Sequence, residues 1–578
     1  MRSADRPRTG EVCAVLAVSA LCGFAMGALR PALHVAVEGA QVAAGLVAYE
    51  DGNPFGLYQK SVWTLWHQAL APLLSAGVHE RTASIFVSGV VGALPFVGLA
   101  LVARAAGAPG WLACGVPFLV VAASPGGWGF RYGLFLLGSG HTYGLAGLAW
   151  QLVAIGLLGV GWWRAAAFAF GIGPALHVSL GVWLAAVAAG AAALSWRDVR
   201  PRWREVGLGG GLGALIATAS LGLHLARAPS AHIDPVEASR YLDVFVRLWD
   251  AHRAPPALLG WRTAVVACVL VASWRASARA ELPAPARVAL RVLALASGIG
   301  LALAVLQNGV RAEALPDLLQ IAMPTRLLNL PMLAFPAVAA GLLWRLREAR
   351  LAQAGLALLA LGSCALAWRP ALARVLLPAV GAVVLVALWR PARPSAPVLR
   401  RAAQLAVALA SVAAVALGFR EGIRDLDFRL SYLIDRSNDA ALAAASRRHG
   451  ALAVASGIEV SQLRTRRPLV VDPGALDMLP YALAGAPALV RILDRVYAVD
   501  FFHPPKISLH QAALPERQVR EAWETRSASE WAALAREFGF SDVLVPAGWN
   551  LDLDEVARSR WVSLYRVPPA ADGDATSR

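Results

Sequence analysis

Apolar residues run in long blocks over the first 420 positions, and the short loops between them carry most of the charge. A helix needs about 20 such residues to cross a hydrocarbon core about 30 Å thick. The first block, Val12 to Leu29, follows a basic Met-Arg-Ser-Ala-Asp-Arg-Pro-Arg start and is long enough to span rather than serve as a cleaved signal. Further spans are predicted at 84–104, 110–124, 142–162, 165–176 with 178–196, 206–227, 261–275, 288–307, 327–346, 352–368, 371–390 and 402–419. Gly171, Gly173 and Pro174 interrupt the stretch at 165–196, which predicts two short helices meeting at a break, or a re-entrant hairpin, with His177 beside it at mid-membrane depth. Counted as a hairpin, the pair brings the total to about thirteen crossings.

From about residue 440 the blocks shorten. Runs at 451–457, 468–471, 542–545 and 561–567 have strand length, and 530–538 has helical spacing. The expected fold is a polytopic α-helical membrane bundle over 1–420 with a soluble α/β domain over 421–578.

Composition sharpens this reading. Hydrophobic residues make up 58% of the 578 and charged ones only 16%, too few for an ordinary soluble enzyme. The formal charge is +16, carried almost wholly by arginine, since Lys60 and Lys506 are the only lysines; that usage, with heavy Ala, Leu, Val and Gly, fits a bacterial chain. Residues 1–420 hold +18 and the remainder −2. The basic clusters are Arg197–Arg204, Arg275–Arg291, Arg345–Arg350 and Arg390–Arg401. With the N-terminus in the cytoplasm, all of them fall on the cytoplasmic side, as the positive-inside rule asks. The tail then lies outside the cytoplasmic membrane. No basic face interleaved with aromatics exists for nucleic acid. The five cysteines lie far apart in apolar stretches, and no histidine shows metal-ligand spacing, so no metal or resident cofactor is expected.

The first outward loop carries the most chemistry. Val35, Val42 and Leu46 recur at helical spacing, so 34–48 reads as an amphipathic helix lying on the membrane surface. Glu38 stands inside it, and an acid held at the membrane is a functional candidate, though it can equally solvate the polar face of such a helix. Gly45, Tyr49, Asn53 and Pro54 follow. This arrangement resembles the first outer loop of the GT-C class of integral-membrane glycosyltransferases, in which an acid shortly after helix one precedes an interfacial helix, a Gly-x-x-Tyr-like turn and an Asn-Pro segment. The resemblance implies transfer of a sugar from a polyprenyl-phosphate donor to a glycan, lipid or protein acceptor. It casts Glu38 as general base, with Glu50 and Asp51 as further acids, and Tyr49, Tyr58 and Lys60 near substrate. Family members often place Gln and Pro-x-Arg at the start of a late helix, and Gln320, Pro324 and Arg326 look similar; Arg326 would grip the lipid phosphate, or else snorkel to headgroups. His177 and Asp234 are further substrate-binding candidates. No second acidic motif occurs between Ser124 and Tyr143. The tail has no GxGxxG, GxSxG or P-loop, and reads as an accessory that binds glycan or partner, or shields the site mouth. A transporter or flippase for a lipid-linked saccharide, and a non-catalytic protein of envelope assembly, remain as alternatives; a transporter would show matching broken helices in two halves.

Overall fold

The computed structural model describes residues 9–250, 252–311, 314–389, 397–429 and 439–568. Helix α1 (Thr9–Ala28) is followed in the first loop by α2 (Val35–Ala43), α3 (Pro54–Ser61) and α4 (Leu65–Ser75). Then come α5 (Glu80–Ala106), α6 (Gly110–Ala122), α7 (Thr142–Gly159), α8 (Trp163–Leu176), α9 (Val178–Leu194), α10 (Trp196–Val199) and α11 (Trp203–Leu225). After α12 (Pro235–Val244) the chain makes α13 (Trp261–Ser277), α14 (Ala284–Gly309), α15 (Asp317–Ile321), a 3₁₀ turn (Pro324–Leu328), α16 (Asn329–Arg345), α17 (Arg350–Trp368), α18 (Ala373–Trp389) and α19 (Pro397–Phe428). Each predicted span has its helix. Among the described residues eight helical stretches are long and apolar enough to cross a membrane, and α6 and α9 are shorter apolar ones. The break in 165–196 falls at His177, and Pro174 is accommodated inside α8.

Small residues let the helices approach. A Cβ at Gly27 of α1 would overlap the Ser88 carbonyl of α5, and one at Gly209 of α11 would overlap the Arg164 carbonyl of α8. Backbones this close gain dispersion contacts, which together with interhelical bonds such as Trp150 Nε1 to the Ala169 carbonyl (2.8 Å) hold helices together where no water is present to be expelled.

The two ends of the bundle differ. At one end Arg104 pairs with Glu11 at 2.9 Å and Arg287 with Asp198 at 2.5 Å. Arg291 donates to Ser195 Oγ at 2.7 Å, Arg279 to the Leu388 carbonyl at 2.6 Å and Arg345 to the Glu281 carbonyl at 2.7 Å. The arginine clusters thus share one face; Arg390 and Arg393 lie outside the described residues. The tail sits at the other end, where Arg429, just past α19, donates to the carbonyls of Pro31 and Gly138 at 3.3 and 3.4 Å.

The tail comprises α20 (Ala440–Ser446), β1 (Ala451–Val454), α21 (Ser461–Thr465), α22 (Ala486–Arg495), α23 (Glu516–Glu524), α24 (Ala528–Phe538), β2 (Phe540–Pro546), β3 (Asp554–Arg558) and β4 (Val562–Arg566). The sheet order is β1-β2-β4-β3, with β1 and β2 parallel and the other pairs antiparallel. The run 468–471 is not a full strand. It makes a single parallel bridge, Leu452 to Leu469, because its next carbonyl groups turn to Asn53 instead. The tail does not fill its core alone. Val47, Tyr49 and Phe55 of the first loop, with Val244, Phe245 and Trp249 of the second, are buried in the same cluster as Val454, Leu544 and Trp523.

Candidate functional site

Helix α2 is nine residues long and buried from Ala36 to Gln41. It is therefore not the exposed surface helix expected at 34–48. One side packs on α4, α5 and α7 through Ala36, Val37 and Ala40. The other is covered by α21 of the tail, whose contribution no local periodicity could register. His34 fixes the entry to α2. Its ring nitrogens bond Ser88 Oγ (2.8 Å) and Thr142 Oγ1 (3.0 Å), and burial pushes its pKa down to about 3, so it holds as a neutral staple. Gly45, with φ +72°, ends the segment in the left-handed region that favours glycine.

Glu38 is 2% exposed, and its Oε1 has no hydrogen-bond partner among the described residues. Burial raises its pKa well above the usual carboxylate range, and the Asp472 carboxyl of the tail raises it further. Asp472 follows the bridged segment 468–471; its Oδ1 accepts from Gly474 N at 2.8 Å, and burial moves it up to about 6. Beside them Tyr49 donates to Gln462 Oε1 at 2.6 Å and accepts from Leu469 N at 3.3 Å. Gln462 in turn donates to the Glu38 carbonyl (2.9 Å) and to Gln41 Oε1 (3.2 Å). Gln41 reaches Glu80 at 3.0 Å, and both carboxylate oxygens of Glu80 accept from one edge of the Arg466 guanidinium, Nε and Nη2. One polar seam thus binds α2, α5 and the tail.

The remaining expected residues divide. Asn53 Oδ1 caps α3 by accepting from Gly56 N at 2.8 Å, with Pro54 in the first turn, while its Nδ2 donates to Leu469 and Val470 carbonyls. Tyr49, Asn53 and Pro54 therefore seat the tail, which is a structural role, and Tyr49 faces Gln462 instead of open space. Glu50 is exposed and lies against Gly539, and Asp51 is exposed on a turn; neither joins Glu38. Lys60 is half-buried at the end of α3. Asp234 is exposed and caps α12 through Val236 N (2.9 Å) and Glu237 N (3.1 Å). Gln320 is buried on α15 and donates to the Leu315 carbonyl at 3.2 Å. His177 caps α9, accepting from Leu180 N at 3.4 Å, and Arg326 is among the charges it feels.

Tyr58 lies within electrostatic reach of Glu38, and Arg326 lies over a second tyrosine, Tyr132. Tyr58 is half-buried, and its phenol is raised by burial and then by Tyr143, Asp477, Tyr481 and Glu38. Tyr132 is pushed up to about 12 by burial, opposed by Arg326 and aided by Asp477 and Tyr481. The Arg326 guanidinium lies over the Tyr132 ring at 4.8 Å. Asp477 and Tyr481, from a 3₁₀ stretch of the tail (Leu476–Tyr481), are the shared neighbours that join the Glu38 side to the Arg326 side. Tyr58, Tyr132 and Arg326 are each half-buried. Asn329 Oδ1 fixes the loop bearing Tyr132 by accepting from Phe130 N at 2.7 Å.

His67, Tyr143, Arg253, Gln462, Asp472, Asp477 and Tyr481 were not site candidates from the sequence. The only legible signal was the Asp472-Pro-Gly-Ala-Leu-Asp477 stretch after an apolar run, which reads as turn residues until the tail is docked. His67 meets Tyr143 OH at 2.5 Å, and burial lowers its pKa to about 4. The arrangement offers a carboxyl of high proton affinity, a guanidinium and a set of phenols between them. Compared with protein families, with curated proteins and with solved structures, the chain finds no match.

Proposed function

We propose that the chain is an integral-membrane glycosyltransferase of GT-C type, which moves a sugar from a polyprenyl-phosphate donor to an acceptor hydroxyl outside the cytoplasmic membrane of a bacterium. Counting α8 and α9 separately, α1, α5–α9, α11, α13, α14 and α16–α19 make thirteen crossings. The arginine-rich end faces the cytoplasm, and the tail over 421–578, which shares its core with the two outer loops, faces outward. One observation carries the reading: Glu38 and Arg326 stand at the same end of the bundle, linked through Tyr58, Tyr132, Asp477 and Tyr481. Arg326 holds the donor phosphate as the sugar departs and its charge grows. Glu38 takes the acceptor proton. Burial and the neighbouring Asp472 carboxyl both hold the Glu38 carboxyl above the usual carboxylate range, so the base forms at higher pH than a free carboxylate ionises.

The test is sugar transfer in membranes bearing Glu38→Gln. The near-isosteric amide fits the buried position, so the protein should accumulate normally while the rate falls by about 10²–10⁴. Wild-type transfer should also keep climbing as pH rises past the usual carboxylate range. Full activity in Glu38→Gln would refute the base assignment.

A further inference from the structure

Arg253 lies in the loop after α12 and is 5% exposed. Its Nη1 pairs with Asp250 Oδ2, while Asp250 Oδ1 accepts from His252 N at 2.6 Å. The other two guanidinium nitrogens, Nε and Nη2, are buried with no hydrogen-bond partner among the described residues. They form one edge of the group, the fork that takes two oxygens of a phosphate side by side. Buried donors are almost always bonded, so an empty buried fork needs an explanation.

Its surroundings supply one. The face of Arg253 lies over the Tyr481 ring at 5.3 Å. Tyr481 and Asp477 are the same tail groups that act on Tyr132, which Arg326 covers. His252, next to Arg253 in the chain, meets the Tyr132 ring edge-on at 6.0 Å. One guanidinium thus covers Tyr481 and the other Tyr132, two rings within electrostatic reach of each other. Asp477 is within electrostatic reach of Arg253 but makes no hydrogen bond to it, which leaves the fork open. Tyr481 is 41% exposed, so solvent reaches the ring that covers Arg253.

We propose that Arg253 binds a second phosphate beside the one on Arg326, so that the donor is a saccharide on a polyprenyl diphosphate. This rests on the glycosyltransferase reading and specifies its donor. In the transfer the bond from the sugar anomeric carbon to the diphosphate oxygen breaks, and its electron pair leaves on that oxygen. The acceptor oxygen bonds the same carbon and gives its proton to Glu38. Two guanidiniums then share the charge of the departing diphosphate.

The experiment titrates full-length protein in nanodiscs with polyprenyl monophosphate, polyprenyl diphosphate and inorganic pyrophosphate. Wild type should bind the diphosphate lipid at least about 10-fold more tightly than the monophosphate lipid, the worth of one charge-assisted fork. Arg253→Lys keeps the charge beside Asp250 but has no fork; it should lose that preference and keep monophosphate binding unchanged. If Arg253→Lys does not fold, the double variant Asp250→Asn/Arg253→Gln removes both charges and should give the same loss. Arg326→Lys should weaken both lipids. Pyrophosphate binding as tight as the lipid would support the diphosphate site and overturn the lipid-linked donor. Equal affinity of wild type for the two lipids, or an unchanged preference in the Arg253 variants, overturns the proposal. Monophosphate binding with Glu38-dependent transfer would then leave the glycosyltransferase reading standing, whereas binding of neither lipid overturns both.

Discussion

Replacing Gln462 by leucine removes the bond between the tail and the backbone of Glu38 while nearly keeping the volume. Gln462 is 0% exposed and makes three hydrogen bonds, to Tyr49 OH, the Glu38 carbonyl and Gln41 Oε1, at 2.6, 2.9 and 3.2 Å. Each partner left buried and unsatisfied costs about 1–3 kcal/mol, and local relaxation makes the total less than the sum, about 3–4 kcal/mol. The tail stays attached, because Asn53, the Arg466–Glu80 pair and the shared apolar core are untouched. The loss therefore falls on local opening of α2 and α21. At about 1.4 kcal/mol per factor of ten, amide exchange over 35–43 and 461–465 should speed up roughly 100-fold or more. Exchange in α23 and α24 should not change. Hydrogen-exchange mass spectrometry in nanodiscs reads both regions at once. Tyr49→Phe alone should give a smaller increase, and the double variant should fall short of additivity by about 1 kcal/mol, since the two side chains touch. Unchanged exchange at α2, or a uniform rise across the tail, would refute the seam.

Three further outcomes follow from the same geometry. Asp472 is an acid whose folded pKa is raised, so the native state binds the proton more tightly than the unfolded chain. The stability it contributes is full below about pH 4 and is lost as pH rises through about 6. The difference amounts to no more than about 3 kcal/mol. Thermal denaturation of Asp472→Asn should lack this decline between pH 4 and 7, and an identical profile would contradict it. Gly39→Ala would drive its methyl into the His67 ring, costing about 1–3 kcal/mol by overpacking, with the transition temperature as readout. Ser529→Cys, at an exposed position on α24, should react with an impermeant thiol reagent in intact cells; labelling only after lysis would reverse the topology. Ser529 is chosen because its neighbour Ser527 caps α24 in a capping box with Glu530.

The helices were legible in the sequence because crossing a membrane is a local property. Whether 20 consecutive residues are apolar enough depends on those residues alone, so the predicted spans lie within a few residues of their helices, save the last, where α19 runs on nine residues past 419 to Phe428. Arginine clusters at span ends and the Asn53-Pro54 cap were legible for the same reason. The burial of Glu38 was not. Its periodicity records one packed face, whereas the other is closed by Gln462, 424 positions away. Asp472, Asp477 and Tyr481 reach the bundle only because Tyr49, Asn53 and Phe55 are built into the tail. Arg253 is a loop arginine in sequence, and only the fold shows that its fork is buried and empty. Composition over short windows determined which segments lie in lipid. The tertiary structure decided which polar groups meet, because those contacts join residues hundreds of positions apart and leave no periodic trace in either segment.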